Sequence, residues 1–321
     1  MVTPPPAVDS VLDSIGNTPV VKLSRVVPAG SADVYVKIEG GNPTGSYKDR
    51  MALAKIEAAE RRGTLRPGMT VVEFTGGSTG SSLAFVCAVK GYRFNVVSSD
   101  AFSKEKLATM AAFGADVTIV ESHGKGISAT LMAEMRAIVE EMAASDDVYW
   151  TKQFENTDSL TGYGKIGEEL LQQLDGQLDA FCGGVGTAGM LMGVSRTLRD
   201  AGSDTRIYAV EPAASPILSR GVSGSHGIEG VGVGFVPPLL DESLYDAVLA
   251  VEESDAREMA RRLAREEGIF CGISSGMNAV AALEIARQLG SGHTVATAAV
   301  DTGLKYLAGN LFDTWVPTSP I

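Results

Sequence analysis

Basic residues, paired cysteines and long apolar runs are what this sequence has little of. Lys and Arg number 27 against 39 Asp and Glu, which leaves a formal net charge of −12. A chain this acidic, with no block of basic residues, argues against a nucleic-acid partner or an anionic membrane surface. Its longest apolar runs, such as 294–300 and 279–283, fall far short of the roughly 20 residues that cross a bilayer. We therefore expect no membrane span.

Cysteine is scarce and unpaired in the sequence. Neither a C-x-x-C pair nor an H-E-x-x-H motif occurs, so the usual spacings of metal ligands are missing and we expect no metal site. The amino terminus carries prolines and an acid where a secretory signal has basic and then apolar residues. We therefore expect buried thiols in a reducing cytosol, that is, a cytoplasmic protein. The cysteines and histidines, all far apart, are Cys87, Cys182, Cys271, His123, His226 and His293.

Strand and helix patterns alternate from about residue 46. With 321 residues, 45% of them apolar, the chain should form about two domains. Short β-branched runs separated by helical stretches are typical of parallel sheets, so the predicted class is α/β with two doubly wound domains. The predicted strands are 71–74, 95–98, 117–120, 148–151, 180–182, 207–210 and 295–300, and the predicted helices are 51–62, 81–90, 104–113, 127–144, 164–174, 190–199, 255–267 and 278–289.

Three glycine-rich turns, 75–80, 183–189 and 272–276, each follow an apolar run and open a helix. Strand-to-helix turns gather at the carboxyl edge of a parallel sheet, where ligands bind. Successive backbone N–H groups there, together with the positive end of a helix, form an anion site. One such turn is ordinary structural punctuation, but three in register predict a ligand site.

The second turn also fits a dinucleotide fingerprint. Gly184, Gly186 and Gly189 satisfy G-x-G-x-x-G, and Glu211 stands at the end of the next predicted strand. In that reading Glu211 binds ribose hydroxyls and the chain is an oxidoreductase. The fingerprint does not explain the segment 41–50, so a second reading is needed.

The segment 41–50, with the sequence GNPTGSYKDR, places Lys48 where a turn enters a helix, with Ser46 as a candidate N-cap. Desolvation and a helix amino terminus both favour the neutral amine, which can act as a nucleophile or base. The alternative is a solvated Lys-Asp-Arg triplet at the start of a helix. The local pattern leaves both readings open.

The motifs 15–19 (IGNTP), 41–50, 75–80, 183–189 and 272–276 (GISSG) occur together and in this order. This set resembles the cysteine synthase (O-acetylserine sulfhydrylase) family of pyridoxal-phosphate enzymes, within fold type II, the tryptophan synthase β-like fold. The resemblance extends from about residue 14 to residue 311. It implies pyridoxal 5'-phosphate as cofactor, an amino acid and a sulfur nucleophile as substrates, and a homodimer.

The resemblance also implies a role for each matching residue. Lys48 resembles the lysine that is covalently joined to the cofactor and, once a substrate displaces it, removes the Cα proton. Ser274 matches the position that faces the pyridine nitrogen, where a hydroxyl, unlike a carboxylate, favours loss of a β leaving group over transamination. The residues that resemble the phosphate cradle are Gly186, Thr187, Ala188, Gly189 and Met190.

Residues 75–79 resemble the family's Thr-Ser-Gly-Asn-Thr loop, which closes on the substrate carboxylate and touches the phenolic oxygen of the cofactor. Here Gly76 replaces a serine that helps hold the carboxylate, and Ser78 replaces the asparagine that bonds the phenolic oxygen. A serine hydroxyl reaches less far than an amide, and glycine adds room and flexibility. Ala188 and Met190 likewise stand where glycine and threonine are usual. The implied substrate contacts are Thr75, Gly76, Gly77, Thr79, Gln153, Gly230 and Gly232, with Ser78 on the cofactor.

Gly230 and Gly232 belong to the segment 226–235, which is similar to the loop lining the β-substituent pocket of the family. We expect His226 to hydrogen-bond within this loop rather than to relay protons. The implied domains are a smaller one, 46–153, a larger one, 8–45 plus 154–312, and a tail, 313–321.

The resemblance implies β-replacement on an activated L-serine, O-acetylserine or O-phosphoserine, by sulfide or a thiol. The first alternative is an α,β-eliminase, a lyase that releases pyruvate and ammonia, because the altered loop 75–79 could admit water. Two further alternatives are the dinucleotide oxidoreductase and a catalytically inactive homologue.

Overall fold

A computed structural model of the protein describes residues 7–124 and 129–313. The predicted tail lies, apart from Asp313, outside the described residues. The chain divides into two compact units: unit 1 comprises the described residues of Met1–Thr18 together with Gly41–Gly162, and unit 2 comprises Pro19–Gly40 and the described residues of Tyr163–Ile321.

The regular elements follow one another in chain order with short connections, and they fit the predicted α/β class. The strands are β1 (Val20–Lys22), β2 (Asp33–Ile38), β3 (Thr70–Phe74), β4 (Arg93–Ser99), β5 (Asp116–Val120), β6 (Val148–Trp150), β7 (Ala180–Gly184), β8 (Arg206–Pro212), β9 (Ala247–Val251) and β10 (Thr294–Ala299). The helices are α1 (Lys48–Arg62), α2 (Ser78–Lys90), α3 (Lys104–Ala112), α4 (Ala129–Met142), α5 (Asp158–Gln173), α6 (Gly189–Asp200), α7 (Ile217–Arg220), α8 (Glu253–Arg262) and α9 (Ile273–Leu289).

Unit 1 contains a parallel sheet whose strand order, among the described residues, is β5-β4-β3-β6. Thr70 of β3 pairs with Arg93 on one side and with Val148 on the other. β3 is buried along its whole length, as its apolar run and central place require. From β3 the chain adds β4 and β5 on one side and then returns to add β6 on the other side. The point between β3 and β6 is therefore a topological switch point, where open parallel sheets bind ligands. The loops that follow β3 and β6 contain the predicted residues 75–79 and Gln153.

Unit 2 contains a sheet whose order, among the described residues, is β1-β2-β10-β7-β8-β9. β1 runs antiparallel to β2 at the edge, and the other pairs are parallel. Here the order reverses between β7 and β10, so the ligand edge lies where these two strands end. The turn 183–189 follows β7, and the residues before α9 pair with the segment after β10 through the bridge of Cys271 with Thr302.

The sequence missed β1, β2, β9 and the short α7, and it started α1, α2, α5 and α9 three or more residues too late. β1 is only three residues long and mostly exposed, so it lacks the apolar pattern of a strand. α9 begins at Ile273 rather than at 278, because its glycine and serines are helical. A Cβ on Gly276 would lie under 3.0 Å from the Ala256 carbonyl oxygen, so this glycine serves close packing against α8 rather than a turn.

The division of the chain differs at its edges from the predicted domain bounds. The prediction placed 8–45 with the larger domain, whereas residues up to Thr18 and from Gly41 onward belong to unit 1. Hydrogen bonds account for this assignment, because Gly16 N donates to Asn42 Oδ1 at 2.9 Å and an Arg50 guanidinium nitrogen donates to Thr18 Oγ1 at 3.2 Å.

The three thiols are free and buried, as expected, and burial raises the pKa of each to about 12. Among the helices in the described part of the chain, none has the length and apolar character needed to cross a membrane. No cluster of three or more metal-ligating side chains occurs within residues 7–124 and 129–313.

Candidate active site

Lys48 is the first residue of α1, in unit 1. Its backbone N–H donates to Ser46 Oγ at 3.3 Å, and its ammonium lies 4.4 Å from the centroid of the Tyr47 ring. The expected N-cap, Ser46, is one residue too early, because Tyr47 occupies the N-cap position. The Ser46 hydroxyl nevertheless satisfies a backbone donor of the first turn, as a cap does.

The residues on either side hold Lys48 in a fixed turn. Asp49 accepts hydrogen bonds from Thr44 N at 2.8 Å and from Thr44 Oγ1 at 2.6 Å. Asp49 is fully buried and Arg50 is only 4% exposed. The alternative of a solvated charge triplet is therefore wrong, because charged residues this buried serve a structural or chemical purpose.

The loop 75–79 joins β3 to α2 at the switch point of unit 1. Thr75 N donates to Val97 O of the neighbouring strand, and Thr75 Oγ1 accepts from Gly77 N at 3.3 Å. Gly77 is the N-cap of α2 and Ser78 is its first residue. The backbone N–H groups of this first turn lie at the positive end of the helix, which suits a carboxylate or another anion.

Gln153 follows β6, on the other side of the switch point. Its Nε2 donates to Phe74 O at 2.8 Å, so its side chain reaches the residue that precedes the loop 75–79. The structure thus brings together two sequence-predicted substrate contacts that are far apart in the chain.

Glu73 and Lys55 are fully buried residues of this edge that the sequence reasoning missed. The Glu73 carboxylate accepts from Phe74 N at 3.0 Å, Trp150 Nε1 at 3.2 Å, Thr151 Oγ1 at 2.6 Å and Gln153 N at 2.9 Å. The sequence did contain a signal for Glu73, because it is the one charged residue in the predicted buried strand 71–74.

Burial is the largest influence on the pKa values of both Glu73 and Lys55. Burial raises the pKa of Glu73, and burial lowers the pKa of Lys55 to about 8 although the Glu73 charge opposes that shift. Lys55 Nζ donates to the Thr151 and Lys152 carbonyl oxygens, at 3.4 Å each. Together the two residues fix the backbone that carries Gln153.

The turn 183–189 joins β7 to α6 in unit 2. A Cβ on Gly186 would lie under 3.0 Å from the Gly230 carbonyl oxygen, so only glycine allows the segment 226–235 to approach this closely. Gly232 N donates to Val185 O at 3.0 Å. Three residues predicted from separate motifs, Gly186, Gly230 and Gly232, therefore adjoin one another.

Ala188 is the N-cap of α6 and has a left-handed conformation, with φ of 66°. Gly189 N points to Thr187 Oγ1 at 3.5 Å, and Met190 is buried behind it. The turn thus presents backbone N–H groups at a helix amino terminus with no acidic side chain in the first turn of the helix, which suits a phosphate.

Ser274 lies in the first turn of α9, near the end of β10, and is buried. Its neighbour Ser275 accepts a hydrogen bond from Val300 N at 2.9 Å, which ties the start of α9 to the carboxyl end of β10. Ser274 therefore lies at the switch edge of unit 2, as its predicted role requires.

His226 hydrogen-bonds within its own loop, as expected. Its Nε2 lies 2.9 Å from Gly232 O, and Ile228 N donates to its Nδ1 at 3.2 Å. Since Nδ1 accepts, the ring proton is on Nε2 and points to the Gly232 carbonyl. The ring holds the two ends of the loop 226–232 together.

Glu211 excludes the dinucleotide reading. Only 2% exposed, its carboxylate accepts from Leu218 N at 2.7 Å, from Ser219 N at 3.1 Å and from Ser219 Oγ at 2.5 Å. These donors occupy the oxygens that would have to meet ribose hydroxyls. Glu211 therefore does not offer the ribose contact that the dinucleotide reading of the turn 183–189 needs.

The residues present fit pyridoxal phosphate. A lysine begins a helix in unit 1, and in unit 2 a glycine cradle that a Cβ would fill opens onto α6 while a buried hydroxyl begins α9. The phosphate of the cofactor needs backbone N–H donors, its aldehyde carbon needs an amine nucleophile, and its ring nitrogen needs a hydroxyl partner.

Comparison with known proteins gives the same answer. The sequence pattern of one family, described as pyridoxal-phosphate dependent enzyme, matches residues 11–301. A cysteine synthase from Staphylococcus aureus is 44% identical over 307 residues, which cover 95% of this chain and 97% of the relative. The crystal structure of an O-ureido-L-serine synthase is 38% identical with a TM-score of 0.89 and covers 98% of both chains. That of a hydrogen sulfide-producing enzyme from Fusobacterium nucleatum is 36% identical, has a TM-score of 0.86, and covers 94% of this chain and 100% of the other.

These matches confirm the resemblance stated from the motifs, the fold type and the cofactor, and they overturn the oxidoreductase alternative. The chain belongs to the pyridoxal-phosphate dependent enzyme family, as an enzyme of the cysteine synthase type.

Proposed function

We propose that this chain replaces the β substituent of an activated L-serine, O-acetylserine or O-phosphoserine, by sulfide or a thiol. Its 44% identity to a cysteine synthase over 95% of the chain supports this chemistry. The observation that carries the proposal is the fixed turn that presents Lys48 at the start of α1. The likeness to an O-ureido-L-serine synthase widens the range of nucleophiles to be tested.

Lys48 holds the cofactor covalently in the absence of substrate and moves the proton afterwards. Bound pyridoxal phosphate supplies an electron sink that makes the Cα–H bond of an attached amino acid acidic. Lys48 Nζ would take that proton, the leaving group would depart from Cβ as an anion, hydrosulfide or a thiolate would add to Cβ, and Nζ would return the proton to Cα. One anion leaves for each anion that adds, so atoms and charge balance.

The residues of unit 2 hold and tune the cofactor. Backbone N–H groups of Gly186, Thr187, Ala188 and Gly189, beside Met190, bind the phosphate at the start of α6. The Ser274 hydroxyl meets the ring nitrogen as a neutral partner, which favours loss of the β substituent over transamination. Gly230 and Gly232 line the space for the β substituent with backbone.

The residues of unit 1 orient the substrate. The N–H groups of the loop 75–79 and the Gln153 amide bind its carboxylate, with Ser78 toward the phenolic oxygen of the cofactor. Because Gly76 offers no hydroxyl, backbone donors carry more of this binding than in the family pattern.

Three further features complete the proposal. The protein works as a homodimer in the cytoplasm, where its buried free thiols stay reduced. We keep the smaller domain, 46–153, and the larger domain, 8–45 plus 154–312, as functional divisions, with 313–321 as a tail.

The test is a product assay on purified, cofactor-loaded protein. O-acetylserine and O-phosphoserine are each combined with sulfide, a small thiol and hydroxyurea, and products are identified by mass spectrometry. Lys48→Ala is the control and should lose covalent cofactor and at least about 1,000-fold in rate, since it removes both nucleophile and base. If the loaded protein makes no cysteine, thioether or O-substituted serine from any combination, the proposal is wrong.

A lyase remains the second candidate, favoured by Gly76 and by the likeness to a hydrogen sulfide-producing enzyme. Pyruvate released without a nucleophile, at a rate that added sulfide does not reduce, would favour the lyase over the replacement.

A further inference from the structure

The space beside Gly76, where a side chain would lie, is occupied by the aromatic ring of Phe102. A Cβ built on Gly76 would lie well under 3.0 Å from Phe102 Cγ, Cδ1 and Cδ2. Cγ is the near end of that side chain, so a small swing of the ring cannot clear the space. The glycine that departs from the family pattern thus has a structural counterpart, Phe102, which the sequence reasoning did not single out.

A hydrogen-bonded turn at the end of β4 fixes Phe102. Its N–H donates to Ser99 O at 3.2 Å, and Ala101 N donates to Ser99 Oγ at 3.2 Å. Asp100 Oδ1 accepts from Ser99 Oγ at 3.0 Å and from Ser122 N, beyond β5, at 2.6 Å. The turn is therefore tied to both strands on its side of the sheet.

Packing against the hydrophobic core of unit 1 also holds the Phe102 ring in place. Phe102 packs against an apolar cluster that includes Val72, Phe74 and Val97 of the sheet and Leu131 of α4. Moving the ring away from Gly76 would open this cluster, and close-packed interiors resist such shifts. The loop 75–79 consequently rests on a fixed aromatic surface.

We propose that Phe102 is a positioning residue for the loop 75–79: its ring fills the volume of a side chain at position 76 and so sets where the backbone N–H groups meet the substrate carboxylate. This inference rests on the proposed function of that loop. It predicts that a side chain at position 76 is tolerated only when the ring at position 102 is removed, because the space holds only one of the two.

The experiment compares the wild type, Gly76→Ser, Phe102→Ala and the double variant. Alanine lacks the three ring atoms that a Cβ at 76 would strike, so serine becomes acceptable once the ring is gone. Phe113→Ala is the matched control, because Phe113 is also half-buried and packs against an aromatic ring, Phe85, at 5.6 Å, away from the loop.

Two readouts are needed. The first is the apparent Kd of the amino-acid substrate, from the absorbance change of the bound cofactor, together with kcat and KM. The second is the melting temperature of the cofactor-free protein, which reports packing whether or not the protein catalyses the proposed reaction.

We expect Gly76→Ser to raise the Kd and KM about 10- to 100-fold, because overpacking displaces the loop. Phe102→Ala should raise them about 3- to 10-fold with little change in kcat, and adding Gly76→Ser to it should lower both KM and Kd. Phe113→Ala should lower the melting temperature without moving KM.

The inference would be overturned if Gly76→Ser changed binding and melting temperature equally in the wild type and in the Phe102→Ala background. It would also be overturned if Phe113→Ala raised KM as much as Phe102→Ala does. If no variant catalyses the reaction yet the melting temperatures show rescue in the double variant, the proposed function fails while the packing relationship stands.

Discussion

Replacing Glu73 by glutamine tests whether the buried carboxylate organises the Gln153 side of the site. The substitution keeps the shape of the side chain and removes its charge. The best amide orientation keeps the oxygen toward Phe74 N and Trp150 Nε1, leaving the NH2 group toward Thr151 and Gln153 N. The Thr151 hydroxyl can turn and accept, but Gln153 N–H cannot.

The size of the effect follows from what is left unpaired. An orphaned buried donor costs about 1–3 kcal/mol, and Lys55 loses the buried charge that opposes its desolvation. We therefore expect Glu73→Gln to lower the free energy of unfolding by at least about 1–3 kcal/mol and to raise the KM of the amino acid by about tenfold or more, because Gln153 loses its support.

The assay is urea denaturation followed by fluorescence in a Trp315→Phe background, where Trp150 is the remaining tryptophan of the two and reports on its own partner. Glu60→Gln is the surface control, since the half-exposed Glu60 bonds Lys90 and Tyr92 and should cost less than about 1 kcal/mol. Adding Lys55→Met to Glu73→Gln should recover the part of the loss that arises from the Lys55 charge, but not the part that arises from the unpaired Gln153 N–H. A loss below about 1 kcal/mol in Glu73→Gln, or an unchanged KM, would refute the reasoning.

The cradle, the buried lysine and the histidine loop give three more predictions. Gly186→Ala forces a Cβ against the Gly230 carbonyl, so fluorescence titration of the cofactor-free protein should show pyridoxal phosphate binding about tenfold or more weakly. The pKa of Lys55 is about 8 when folded and 10.5 ordinarily, so between these values the unfolded chain binds more protons. Stability should therefore rise with pH across this window, by up to about 3 kcal/mol relative to Lys55→Met, measured by denaturation at pH 7.5 to 10.5; a parallel pair of curves would contradict this. His226→Phe removes both loop hydrogen bonds and should raise the KM of the nucleophile several-fold while leaving that of the amino acid unchanged; equal changes in both would argue against a local role.

The sequence was informative where local pattern and global fold agree. The β-branched runs at 71–74 and 207–210 lie in the observed β3 and β8, and α1 ends as predicted at Gly63, whose φ is 70°. The glycine turns 75–80 and 183–189 lie at the carboxyl ends of β3 and β7 as predicted, whereas 272–276 follows an isolated bridge and lies largely within α9. That these strand ends bind a ligand stays a prediction. The family was identified from five motifs together, 15–19, 41–50, 75–80, 183–189 and 272–276, and no single one of them was sufficient.

What the sequence could not supply depended on non-local contacts. β1 is recognisable only from its partner β2, since three mostly exposed residues carry no pattern. The bond from Gln153 to Phe74 and the ring of Phe102 against Gly76 join segments that only the folded sheet brings together. The departure at Gly76 was visible in the sequence, but its reason required the structure.

Unit 1 interrupts unit 2 along the chain, and this connectivity dictates an order of assembly. The strands β3 to β6 have all been synthesised once Gly162 has been added, whereas β2 must wait for β10, which begins at Thr294. Likewise Ser24 bonds Glu267 across 243 residues, a closure whose entropy cost is met late. The inserted unit therefore matures first during translation, and the nascent amino-terminal hairpin keeps an open edge until synthesis is nearly finished, the interval in which a chaperone has most to protect.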